Sequence, residues 1–133
     1  MPLTIQEAQT VIEGAHRHAV ANGWRVTIAV VDEGGMLQAL ARMDGAPPLS
    51  AQIAEAKAVG AAVWQRDGDS LFELQSGRPA FFEQISRLTR LPILAALGSV
   101  LIRRGDAVLG AVGVSGARPE EDKECALRGL AEI

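Results

Sequence analysis

Apolar residues recur at helical spacing from the start of the chain: Ala8, Val11, Ile12, Ala15 and Ala19 draw one stripe along residues 5 to 22. Thr4 with Glu7 three residues on forms a capping box that satisfies opposed backbone N–H groups, and Asn22-Gly23 supplies the stop. The period then changes. Trp24 to Val31 is rich in β-branched residues, Asp32-Glu33-Gly34-Gly35 has the backbone freedom of a tight reversal, and Met36 to Arg42 returns as a second strand. Val26, Ile28 and Val30 fall on one face of the first strand and Ala29 and Val31 on the other, which predicts a sheet covered on both sides.

Gly45-Ala46-Pro47-Pro48 breaks the pattern, and Ser50 is expected to cap a second helix running to about Gln65. One short helical piece is predicted around Phe72 and another from Phe81 to Leu88, ended by Pro92. Ser99 to Arg103 and Ala107 to Val114 flank Arg104-Gly105-Asp106 as a second hairpin. Pro119 then opens a last helix, with Glu120, Glu121 and Asp122 at its positive end. The order helix, hairpin, helices, hairpin, helix predicts an α+β fold on an antiparallel sheet.

Composition narrows the function. A chain of 133 residues, 48% apolar and 22% charged, suits a single folded domain over residues 1–133. Its net charge of -3, with arginines scattered along the chain, gives no basic stripe for nucleic acid. The single cysteine, Cys125, rules out an intrachain disulfide and a Cys-rich metal site, and suits a reducing compartment. No secretory pattern opens the sequence and no apolar run is long enough to cross a bilayer, so a cytoplasmic protein without a membrane segment is expected.

Polar residues inside apolar stripes are the candidates for chemistry. Lys57 lies among Ile53, Gly60 and Trp64 on the face of the second helix that should be buried. Either its stem packs and its ammonium meets an acid, Asp122 being placed to answer it if the two helices touch, or it lines a pocket as an anion's partner or a proton carrier. Arg42 and Asp44 end the second strand with the same parity, so they either close the hairpin as a salt bridge or offer a guanidinium to a carboxylate. His16 and His18, two apart on a helix, cannot share a metal ion. His18 sits at the edge of the apolar stripe, as an interfacial histidine or as a haem-iron ligand, which needs one imidazole. Gly110, Gly113 and Gly116 interrupt a good strand, marking close approach by a helix or a ligand. Ser115 lacks any nucleophile elbow, and Cys125 reads as a small core residue.

Three stretches, "IAVVDEGGMLQALARMDGA", "IAEAKAVGAAV" and "GAVGVSGARPEEDKECA", occur in register with the GlcG/HbpS family, which includes the C-terminal domain of PduO-type proteins. The chain resembles that family from about Leu3 to Leu130. The resemblance implies a profilin-like α+β fold, with a central antiparallel sheet of about five strands flanked by helices, and usually a homo-oligomer. It also implies that Arg42, Asp44, Lys57, Gly113 and Ser115 are motif positions, and that a first-helix histidine, best matched by His18, is a haem-ligand candidate. Two departures stand out: Ala96-Leu97-Gly98-Ser99 replaces the family's usual Gly-Gly-Val-Pro, and Met36 stands where some relatives place histidine after the Gly-Gly turn.

Three functions are therefore weighed. In the leading one the domain binds a small anionic ligand, haem or another tetrapyrrole first among them, through His18, Arg42, Asp44, Lys57, Gly113 and Ser115. In the second it acts on a small carboxylated metabolite, with Lys57 as acid/base tuned by Asp44 or Asp122 and Arg42 as anchor. In the third the polar motif residues lock subunits together.

Overall fold

The computed structural model describes residues 1–133. Its elements run α1 (Ile5–Asn22), β1 (Thr27–Asp32), β2 (Leu37–Arg42), α2 (Ser50–Trp64), α3 (Gly68–Gly77), α4 (Pro79–Leu88), β3 (Ser99–Arg104), β4 (Ala107–Ser115) and α5 (Pro119–Leu130). The strands form one antiparallel sheet in the order β2-β1-β4-β3. The two hairpins thus meet along β1 and β4, which become the central strands.

The predicted capping box opens α1: Glu7 N donates to Thr4 Oγ1 at 3.0 Å and Thr4 N to Glu7 Oε1 at 3.0 Å. Gly23 closes it in the left-handed region at φ 74°. Trp24 N still donates to Ala19 O at 2.9 Å, so Trp24 belongs to the helix end and β1 begins three residues later than the β-branched pattern implies.

Alternation along the strands sorts the core into two layers. Val26, Ile28 and Val30 of the first hairpin, with Val112 and Val114 of β4, pack against Val11, Ala15 and Ala19 of α1 and Cys125 and Ala126 of α5. On the opposite face Val31, Leu101 and Ala111 pack against Ala58, Val59, Ala61 and Ala62 of α2. The two-sided cover predicted from β1 is what the structure has.

Two expectations need correction. The sheet has four strands rather than about five. Residues 89 to 98, between α4 and β3, form no strand: Pro92 has no N–H to give, and Leu94 N is instead tied to Ala56 O of α2 at 3.1 Å. Ser50 also does not cap α2 from outside. It is the first helical residue, following a Leu49 already in helical conformation, and its hydroxyl points inward to meet that of Thr27 at 2.8 Å.

Candidate functional site

Lys57 and Asp122 arise on opposite sides of the sheet, one on α2 and the other in the first turn of α5. Lys57 reaches past the end of β4: its Nζ donates to Val114 O at 3.0 Å and to Asp122 Oδ2 at 3.2 Å. The other carboxylate oxygen accepts from Ala117 N at 3.0 Å. Both side chains are buried, 6% and 4% exposed. Burial pushes the Asp122 carboxyl above its ordinary value, and the Lys57 charge and hydrogen bonds oppose that push. Gly98 lids the pair, with φ 118° and an ideal Cβ position only 2.8 Å from Nζ, so no side chain fits there. The arrangement is an internal bolt that fastens α2, β4 and α5, and of the two readings of Lys57 it is the one in which the ammonium meets Asp122.

The other motif residues gather at the same end of the sheet and line none of the principal clefts. Thr27 stands opposite Arg42 on one side and Ser115 on the other, so the three make a row across β2, β1 and β4. Arg42 is exposed and donates to Ala46 O at 3.4 Å. It makes no salt bridge with Asp44, contrary to the hairpin-closing expectation, because the strand ends at Arg42 and Asp44 already belongs to a turn closed by Ala46 N to Met43 O at 3.0 Å. Gly113 is sealed under α2: a Cβ there would lie 2.3 Å from Ala54 O. Of its two readings, close approach by a helix is the one the structure shows. Ser115 is buried at the end of β4. Burial likewise pushes the Cys125 thiol up to about 12, with Asp122 adding to the effect, so it is a core residue and not a nucleophile.

His18 stands apart from that row. Its side chain is 16% exposed, set edge-on to Trp24 with ring centroids 5.6 Å apart. Its Nε2 lies 2.7 Å from Glu124 Oε2, on the turn of α5 that also carries Asp122. Beside the imidazole opens a cleft of about 300 Å³ lined by Gly14, Arg17, His18, Arg128, Ala131 and Glu132. Arg17 is bound to Glu132 across it, while Arg128 makes no ion pair. His16, two residues away, is exposed. Of the six residues read as ligand-binding, only His18 borders one of the principal clefts.

Residues 3–131 match the sequence profile of the family described as "Haem degrading protein HbpS-like". The chain belongs to the HbpS-like family. Among its relatives, Protein GlcG of Escherichia coli K12 is 38% identical over 115 residues, covering 85% of this chain and 81% of that one. The crystal structure of a double mutant of Streptomyces reticuli HbpS superposes with a TM-score of 0.89 at 27% identity, over 98% of this chain and 86% of that one. The solved PduOC–haem complex has a TM-score of 0.89 at 22% identity, over 100% and 96% of the two chains, and shows that the fold is shared.

Sequence reasoning missed the residues gathered around His18. Arg17, Glu124 and Arg128 each sit at an ordinary exposed helix position, and Glu124 meets His18 from 106 residues away, so no local pattern marks them. A second cleft of about 350 Å³, with Leu49, Ile53 and Val59 on one wall and Leu91 to Leu94 on the other, was equally hidden because it depends on the irregular path of residues 89 to 98. No group of three or more His, Cys, Asp or Glu side chains is placed to hold a metal ion, and no helix is long and apolar enough to cross a membrane.

Proposed function

We propose that this HbpS-like domain binds haem or a related tetrapyrrole, with His18 as the iron ligand and Arg128 as the partner of a carboxylate. One observation carries the reading: the only partly buried histidine borders a cleft that also holds an unpaired guanidinium. The donor set fits the group. An imidazole held edge-on by Trp24 presents its outer nitrogen to a neighbour that is half in water, and a guanidinium is the natural partner of a propionate. The cleft is open and its walls mostly polar, so these residues meet the iron and the carboxylate edge rather than the apolar faces of a ring.

When bound, haem would supply a redox-active iron. The chain's own share is to orient the imidazole and to neutralise negative charge. Acid/base chemistry by Lys57 on a metabolite loses its support, because Nζ lies inside a buried pair that no principal cleft reaches. The same reading has the domain work as a homo-oligomer in the cytoplasm. Exposed Leu37 and Leu40 on the edge strand β2, with Met36 before them, support the first part, and a lone reduced Cys125 suits the second.

Titration of the purified protein with hemin tests the proposal. A saturable Soret shift is expected, lost in His18→Ala and weakened in Arg128→Ala. A spectrum of free hemin at saturating protein overturns it.

A further inference from the structure

We propose that Glu124 is a built-in competitor for the His18 nitrogen and so sets the affinity of the site. The inference rests on the haem reading above and adds a residue that neither periodicity nor motif pointed to. Imidazole has two nitrogens, and Nδ1, bonded to Cγ, is the nearer to the helix backbone and leaves a large flat ligand less room. The outer nitrogen, Nε2, is the one free to reach a ligand. In this chain that atom is already engaged: Glu124 Oε2 lies 2.7 Å from it, and Asn22 Nδ2 lies at 3.5 Å.

Glu124 can release it. Its side chain is 52% exposed, it sits on the solvent side of α5, and it makes no other side-chain hydrogen bond, so rotating into water costs it only this contact. Asn22 is anchored differently, through its donation to the His18 carbonyl at 2.9 Å. The imidazole is thus held ready by Trp24 on one side and closed by a removable carboxylate on the other. A ligand must displace Glu124 before it reaches the nitrogen, and the cost of that displacement is subtracted from its affinity.

The test compares wild type, Glu124→Ala, Glu124→Gln and His18→Ala in two measurements. In the ligand-free protein, acylation of His18 by diethyl pyrocarbonate is followed by peptide mass spectrometry, with exposed His16 as internal reference. Glu124→Ala is expected to raise the His18 rate relative to His16 by about fivefold, the factor one net hydrogen bond is worth, with Glu124→Gln in between. Hemin dissociation constants are expected to fall by a similar factor in Glu124→Ala. An unchanged acylation ratio, or weaker hemin binding in Glu124→Ala that still depends on His18, overturns the competitor role alone and makes Glu124 an orienting partner or a bystander. Hemin binding indifferent to His18→Ala overturns the reading beneath it.

Discussion

Lys57 and Asp122 hold each other in a place where neither alone is tolerable. Removing the ammonium in Lys57→Met leaves a buried carboxylate without its cation, and a loss of about 3–5 kcal/mol is expected from urea denaturation. Lys57→Met combined with Asp122→Leu removes both charges and is expected to recover part of that loss. The pH dependence has a definite sign. Because burial raises the Asp122 carboxyl above its ordinary 3.8, the folded state binds more protons than the unfolded one between that value and the raised one. The stability contributed by this group is full below the window and declines as pH rises through it. Urea midpoints of wild type relative to Asp122→Asn should fall with rising pH across that window; a relative midpoint that climbs would contradict the assignment. Glu7 and Asp69 behave oppositely, lowered mainly by hydrogen bonds from Thr4 and Lys123 respectively, so their contributions disappear as pH falls. At this scale the sequence was half legible. Lys57 announced itself as a cation inside an apolar stripe, but periodicity says which way a side chain points and not how far it reaches, so a partner beyond the sheet was visible only as a conditional.

Between elements, α2 lies directly on β4. Gly113 permits this by having no side chain, since a Cβ would press within 2.3 Å of the Ala54 carbonyl and 2.8 Å of Ala58 N, both backbone atoms that cannot turn aside. Gly113→Ala should therefore lift α2 from the sheet at a cost of about 3 kcal/mol, seen as a lower urea midpoint with an unchanged m-value. A wild-type midpoint in that variant would show that the helix has room to spare. Elements whose signals are local were read well: α1 begins and ends at its capping box and its Asn-Gly stop, and both hairpins turn where glycine permits. Residues 89 to 98 were not read as a wall, because their conformation is set by Ala56 of α2 and not by their own pattern.

Over the whole molecule the residues that the resemblance marks as motif positions and the proposed ligand site separate. Arg42, Lys57, Gly113 and Ser115 belong to the sheet and the helix laid on it, where they fasten layers or edge the molecule, whereas His18 belongs to the opposite layer, where α1 meets α5. The fold was legible because it follows from period and punctuation. The site was legible only in His18, because its other walls come from residues drawn together by the packing of two helices that lie at opposite ends of the chain. The most direct measurement of the central claim is the resonance Raman spectrum of the reduced hemin complex. An iron–histidine stretch is expected in wild type and absent in His18→Ala. The same stretch persisting in His18→Ala, or a wild-type spectrum that His18→Ala leaves unchanged, would contradict the account.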